Sequence, residues 1–175
     1  MPPIVVAGDS SAFERAGVEV VVDFTHLEAA CENLEWAAEA GVHAVVGTTG
    51  FSGEDYARFR SIFTRSNCLI APNFAIGAVE RMAQASSDWA PDPTRKEVVP
   101  SARGGKGPGG IPVHSVRMRG MVAHQEVILG TAGQTLSIRH DSYERVSFMP
   151  GVLLGVKAVA DLPGVTVGLD GVLGI

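Results

Sequence analysis

The chain has 175 residues, of which 46% are hydrophobic and 19% are charged. This supplies the core of one ordinary domain or two small ones and excludes a globally disordered chain. The net charge of −5, with no basic stretch, argues against a nucleic-acid partner, and no apolar run approaches the roughly 20 residues that cross a bilayer.

The two cysteines indicate neither a zinc site nor a disulfide scaffold, because they lack the required spacings. Cys31 falls in a predicted helix and Cys68 in a predicted strand, so we expect core thiols. The first residues, MPPIVVAGDSS, lack the basic segment and apolar run of a signal peptide. We therefore expect a cytoplasmic protein without a membrane span or a bound metal.

The first part of the chain alternates between buried strands and amphipathic helices. Residues 18–24 (VEVVVDF) form a β-branched run that is typical of a strand buried on both faces. Thr25 and Glu28 have the spacing of a capping box, and Gly41 is a natural helix end. This pattern predicts a helix between them.

The alternation then repeats. Residues 43–46 predict a second strand that runs into the turn GTTG. Ser52 and Asp55 can start another helix, and residues 68–72 (CLIAP) predict a third buried strand before the helix AIGAVERMAQA. Strands and helices at this spacing form parallel βαβ units, so we expect a partial Rossmann-type parallel sheet.

The second half of the chain has a different pattern. Residues 87–110 are rich in Pro, Gly and charge, which indicates a linker. Between residues 111 and 141 the hydrophobic period changes to two, which predicts a meander of three strands. Pro150 then opens a helix that Gly164 ends, before a short strand or extended tail. The predicted fold class is α/β: the partial parallel sheet plus a smaller α+β domain with a mainly antiparallel sheet.

Two short loops follow the carboxyl ends of predicted parallel strands, where open α/β sheets bind ligands. Their residues are Gly47, Thr48, Thr49, Ala71, Pro72, Asn73 and Phe74. Both loops offer backbone donors beside hydroxyl or amide groups, which suits the nicotinamide–ribose end of a dinucleotide. The alternative is that the threonines and the asparagine only cap the helices that follow. The spacing alone leaves both interpretations open.

The histidines point to no catalytic arrangement. His114, His124 and His140 each lie in a predicted strand, where a hydrogen-bonded or exposed structural role is the common one. The sequence shows no nucleophile elbow, no HExxH and no defensible pair of carboxylates. We therefore assign no catalytic residue.

Five blocks of the sequence, in this order, resemble dihydrodipicolinate reductase (4-hydroxy-tetrahydrodipicolinate reductase), most of all the actinobacterial type. They are VVDFTH, HAVVGTTGF, LIAPNFAIGA, IPVHSVRMRGMVAHQEVILG and TLSIRHDSYERVSFMPGVLLGV. The resemblance covers nearly the whole chain outside residues 1–17 and 87–103. It implies reduction of a cyclic dicarboxylate, 4-hydroxy-tetrahydrodipicolinate, with NADH or NADPH in lysine and diaminopimelate biosynthesis. It also implies that the seven loop residues are nicotinamide-side contacts.

The resemblance further implies that two parts of the chain have different roles. Residues 1–74 correspond to a partial dinucleotide-binding domain, which we expect the segment 151–175 to complete. Residues 75–150, with the linker 87–110, correspond to a domain that binds substrate and assembles a homotetramer through its sheet.

Two family features lack a counterpart in this sequence. Family members open with a GxxGxxG turn for the pyrophosphate, and this chain begins after that unit. They also carry a block E-x-H-H-x-x-K-x-D-x-P-S-G-T with the catalytic histidine, a proton-donating lysine and a carboxylate-binding Gly-Thr, where this chain reads SSDWAPDPTRKEVVPSARGG. We therefore expect an impaired or inactive reductase. The alternatives are a non-catalytic remnant that oligomerises through its sheet domain and a small-molecule binding module that uses only the crevice at Gly47 and Asn73.

Overall fold

The computed structural model describes residues 6–71, 90 and 104–174. The contacts of the described chain divide it into two compact units. The first unit contains the residues up to Ala71 and those from Phe148 onwards, and the second contains the described residues between them. The predicted helix AIGAVERMAQA and most of the predicted linker lie outside the described residues.

The first unit is built on a parallel sheet. Its strands are β1 (Val20–Asp23), β2 (His43–Val46), β3 (Cys68–Ile70) and β8 (Val165–Val167). They lie in the order β1-β2-β3-β8, and every neighbouring pair is parallel. The last strand is thus supplied by the C-terminal part of the chain.

Helices cover both faces of this sheet. The α-helices among the described residues are α1 (Ser11–Ala16), α2 (Leu27–Ala40), α3 (Gly53–Ile62), α4 (Met149–Ala158) and α5 (Asp170–Leu173), of which α1 contacts α2 through Phe13 and Trp36 and buries no residue of its own. Successive side chains of β2 point to opposite faces, so Val46 joins a core with Leu34 and Phe59, whereas Val45 joins a second core with Leu69 and Val159. Burial on both faces explains the continuous apolar runs, and the predicted α/β class is confirmed.

The helix starts are set by local side-chain contacts. Ser52 and Asp55 form the predicted capping box at the start of α3. The predicted capping box of α2 is wrong, because the N-cap is His26, whose Nδ1 accepts a hydrogen bond from Ala29 N at 3.2 Å. The Thr25 hydroxyl is bound to Asp23 instead.

The second unit contains two small antiparallel sheets. One pairs β4 (Gly105–Lys106) with β5 (Pro112–Val113), and the other is a hairpin of β6 (Ala123–Thr131) and β7 (Gln134–Ser142). The predicted three-stranded meander is therefore wrong, since residues 114–118 belong to no strand. Alternation of apolar and polar residues indicates which side chains share a face of a sheet, but it does not indicate which strands pair. In addition, Pro112 has no backbone N–H with which to extend the pairing of β5.

The hairpin carries an apolar face. Val127 lies opposite Ile138 and Leu129 lies opposite Leu136, and directly opposed residues point to the same side. The exposed fractions of Leu136 and Ile138 are 57% and 59%. Within this unit, the described residues therefore leave a stripe of apolar side chains in contact with solvent.

Candidate functional site

The carboxyl ends of β1, β2 and β3 lie level at one edge of the parallel sheet. Asp23 pairs with Val46, and Val46 pairs with Ile70. The hydrogen bonding continues one residue further, because Gly47 N donates to Asp23 O at 2.8 Å and Ala71 N donates to Val46 O at 2.9 Å. The first residues of the two predicted loops are thereby brought to the same edge, where parallel sheets bind their ligands.

The predicted loop residues differ in their exposure. Gly47 and Ala71 are half-buried, Thr48 is buried and Thr49 is exposed. Pro72, Asn73 and Phe74 lie outside the described residues. The structure thus brings Gly47, Thr48 and Ala71 together and presents Thr49 to solvent in the same loop.

Thr48 neither caps a helix nor points outward. Its hydroxyl lies 2.9 Å from Asp23 Oδ1 and 2.8 Å from the backbone oxygen of Thr25. The N-cap of α3 is Ser52, so the capping interpretation of the two loop threonines is wrong. The loop therefore presents its backbone and the exposed Thr49, while Thr48 fastens it to the neighbouring strand end.

Asp23 is a site residue that sequence reasoning missed. The residue is 6% exposed, and its carboxylate accepts hydrogen bonds from Thr25 N at 3.0 Å, Thr25 Oγ1 at 2.9 Å, Asn33 Nδ2 at 2.7 Å and Thr48 Oγ1 at 2.9 Å. Burial alone raises the pKa of Asp23, but the hydrogen bonds from Asn33, Thr25 and Thr48 outweigh it and lower the pKa below 3.8. The carboxylate is therefore ionised at neutral pH. The sequence could have revealed Asp23 as a charged residue near the end of the apolar run VEVVVDF.

Phe24 is a second missed residue. An added Cβ at Gly47 would lie 2.0 Å from the Phe24 ring, so the ring occupies the space that any other residue would need. The ring is also 54% exposed. The edge therefore places a flat, partly exposed aromatic ring beside Gly47, a shape that fits the nicotinamide end of a dinucleotide.

A second polar cluster lies in the hairpin of the second unit. His124 Nδ1 is 2.6 Å from Asp141 Oδ1, and Arg139 Nε donates to Asp141 Oδ2 at 2.8 Å. These hydrogen bonds lower the pKa of Asp141, and the bond from Arg139 has the larger effect. His124 and Asp141 lie directly opposite each other in the β6–β7 ladder. Within the described part of the chain, no group of His, Cys, Asp and Glu could hold a metal ion.

A parallel sheet with helices on both faces and short loops at its carboxyl edge defines the doubly wound α/β class, to which Rossmann-type dinucleotide-binding domains belong. Family models confirm a particular member of that class. The model described as "Dihydrodipicolinate reductase, N-terminus" matches residues 3–74, and the one described as "Dihydrodipicolinate reductase, C-terminus" matches residues 68–173. The chain belongs to the dihydrodipicolinate reductase family.

Individual relatives agree with this assignment. The chain is 40% identical to the 4-hydroxy-tetrahydrodipicolinate reductase of Mycobacterium marinum, covering 97% of this chain and 86% of the relative. It is 43% identical to that of Thermobifida fusca, covering 90% and 82%. A solved dipicolinate-bound dihydrodipicolinate reductase from Paenisporosarcina sp. TG-14 superposes with a TM-score of 0.68 at 29% identity, covering 92% of this chain and 76% of that one.

The family assignment fixes the general chemistry. Its members are reductases of lysine and diaminopimelate biosynthesis, they use NADH or NADPH, and their N-terminal domain binds that cofactor. In this chain the edge formed by Gly47, Thr48 and Ala71 lies in that domain. No helix among the described residues is long and apolar enough to cross a membrane.

Proposed function

We propose that this chain is a 4-hydroxy-tetrahydrodipicolinate reductase homologue with impaired or absent activity, located in the cytoplasm. The family reaction is the NADH- or NADPH-dependent reduction of a cyclic dicarboxylate, 4-hydroxy-tetrahydrodipicolinate, to tetrahydrodipicolinate. The observation that carries the proposal is the level strand edge in the family's cofactor-binding domain, where Gly47 and Ala71 follow neighbouring strands.

The proposed nicotinamide-side contacts come from the two loops at this edge. They are Gly47, Thr48, Thr49, Ala71, Pro72, Asn73 and Phe74. A bound cofactor supplies the hydride. The chain's own contribution is to orient the nicotinamide with the loop backbone and to shield it with the exposed ring of Phe24.

We propose the following roles for the two parts of the chain. Residues 1–74, completed by residues 151–175, bind the cofactor, and residues 75–150, with a linker at 87–110, bind the substrate. Two observations support this division: β8 extends the sheet beside β3, and the contacts of the described chain divide after Ala71 and before Phe148.

The proposed impairment has two supports. The sequence contains no histidine between His43 and His114, so the family's catalytic block has no counterpart there. The alignment with the Mycobacterium marinum relative extends over 212 positions, whereas this chain has 175 residues, so at least 37 positions have no residue here. Loss of a general acid costs typically about 10²- to 10⁴-fold in rate.

Parallel assays of cofactor binding and turnover test the proposal. NADH binding is measured by the fluorescence of the reduced nicotinamide, and turnover by NADH oxidation with substrate, with the Mycobacterium marinum relative as positive control. We expect weak NADH binding that Gly47→Val abolishes, and turnover at least 10²-fold below the control. Turnover within tenfold of the control would contradict the impairment, and absence of NADH binding would contradict the cofactor contacts.

A non-catalytic role in assembly is the second candidate. The apolar stripe of the hairpin, with Leu136 and Ile138 more than half exposed, favours a homotetramer formed through this sheet. Light scattering after size-exclusion chromatography measures the assembly. We expect Ile138→Lys to dissociate it, whereas Ser137→Lys, on the other face of the same strand, leaves it intact. A monomeric wild-type chain would refute this role.

A further inference from the structure

Asp23 is buried at the proposed cofactor edge, and its carboxylate is fully engaged by groups of the chain itself. We propose that Asp23 is a positioning residue, which holds the loop formed by residues 47–49 in its ligand-binding shape by acting through Thr48. The inference rests on the proposed function of that loop.

The carboxylate joins three separate parts of the fold. Thr25 follows β1, Asn33 lies in α2 and Thr48 follows β2. Oδ1 of Asp23 accepts from Thr25 and from Thr48, and Oδ2 accepts from Asn33 at 2.7 Å. The Asp23 side chain thereby links the loop after β1 and the loop after β2 to α2, the helix between these strands.

The loop depends on these contacts for its shape. Residues 47–52 belong to no helix or strand, so no regular hydrogen-bond ladder fixes them. Asp23 holds the start of the loop twice, since its backbone oxygen accepts from Gly47 N at 2.8 Å and its carboxylate binds the Thr48 hydroxyl. With Thr48 fastened inward, the next residue, Thr49, is exposed. The same contacts therefore determine which groups of the loop reach a ligand.

A neutral amide is a poorer partner for the surrounding groups than the carboxylate. All four groups that surround it donate hydrogen bonds, and a carboxylate is an acceptor at both oxygens. Asp23→Asn keeps the shape but points an NH₂ group at one of these donors. Thr48→Val keeps the shape of Thr48 and removes only its tie to Asp23 and Thr25. Thr49→Val makes the same change one residue further on, where the side chain is exposed.

Two measurements on the full chain test the inference. Deuterium exchange detected by mass spectrometry follows the loop peptide without ligand, and fluorescence titration with NADH gives the affinity. We expect Asp23→Asn and Thr48→Val each to speed exchange in the loop and to weaken NADH binding by about tenfold, which is the scale of one lost charged hydrogen bond. The double variant should weaken NADH binding by less than the product of the two single effects, because Asp23 and Thr48 share one contact. Thr49→Val should leave loop exchange unchanged.

The outcomes separate the inference from the proposed function. If deuterium exchange of the loop is unchanged in both Asp23→Asn and Thr48→Val, the positioning role is overturned. It is also overturned if exchange of the β2 and β3 peptides increases as much as exchange of the loop, because that result would reflect general destabilisation. If Asp23→Asn does not fold, Thr48→Val decides by the same criteria. A wild-type chain that does not bind NADH refutes the cofactor contacts, while the exchange measurement still decides the positioning role.

Discussion

Helix α4 packs tightly against the parallel sheet at Gly155. An added Cβ there would lie 2.9 Å from Leu69 Cδ2 and 3.3 Å from Val45 Cγ1. Both neighbours are buried in central strands and cannot move into solvent. At Gly151, one turn earlier in the same helix, the nearest atom would be Leu169 Cδ1 at 3.8 Å, which is an ordinary contact. The two glycines therefore form a matched pair for Gly→Ala replacement.

Opposing terms set the expected change in unfolding free energy. Replacing a helical glycine by alanine stabilises by about 0.5–1 kcal/mol, and this gain applies to both positions. Overpacking a core costs about 1–3 kcal/mol, and this cost applies only at Gly155. We therefore expect Gly151→Ala to stabilise the first unit and Gly155→Ala to destabilise it, with about 1–3 kcal/mol between the two variants.

Urea unfolding followed by circular dichroism measures this difference. The slope of the transition should be the same for wild type and both variants, so that shifts of the midpoint report free energy. Equal stabilisation by the two replacements would show that α4 can move away from the sheet at no cost, and would refute the close packing.

Three further predictions concern the first unit. The native pKa of Asp23 lies below its unfolded value, so its ionised form contributes stability above about pH 4 that is lost as the pH falls through the lower native pKa. Between pH 6 and pH 3, the urea midpoint should therefore fall more steeply for the wild type than for Asp23→Asn. Equal dependence of the two midpoints on pH would refute this. Burial raises the pKa of the Cys68 thiol to about 12. A disulfide reagent at pH 8 should therefore modify the half-buried Cys31 first and Cys68 only on unfolding. Equal rates of modification of the two thiols would contradict the burial of Cys68. Ser52→Ala removes the capping box of α3 and should lower the unfolding free energy by about 1 kcal/mol, and an unchanged urea midpoint would argue against the cap.

Much of the first unit could be predicted from the sequence, because its signals are local. Strands buried on both faces read as continuous apolar runs, and the capping box of Ser52 and the glycine after α2 are properties of a few adjacent residues. The cap of α2 was predicted incorrectly because Thr25 has two possible partners. The carboxylate of Asp23, two residues earlier, accepts the hydrogen bond that the capping pattern assigned to the helix.

The pairing of β4 with β5 in the second unit could not be predicted in the same way. Gly105 and Lys106 have no strand propensity, and they pair because the chain brings them beside Pro112 and Val113. The positions of Gly47 and Ala71 at the carboxyl edge of the sheet followed from the predicted parallel strands, and their ligand contacts stay a prediction from the rule for such edges. The role of Thr48 did not follow from the predicted strands, because the direction of its hydroxyl depends on a group 25 residues earlier.

The pairing of β3 with β8 has a consequence for how the first unit tolerates change. The two strands are adjacent in space, and Gly164 N donates to Asn67 Oδ1 across 97 residues of sequence. The entropy of closing such an excursion grows only with the logarithm of its length, so lengthening it by 37 residues would cost about 0.3 kcal/mol. The sheet can therefore close around intervening segments of very different length. On the ribosome, by contrast, β8 cannot pair with β3 until synthesis has passed Val167.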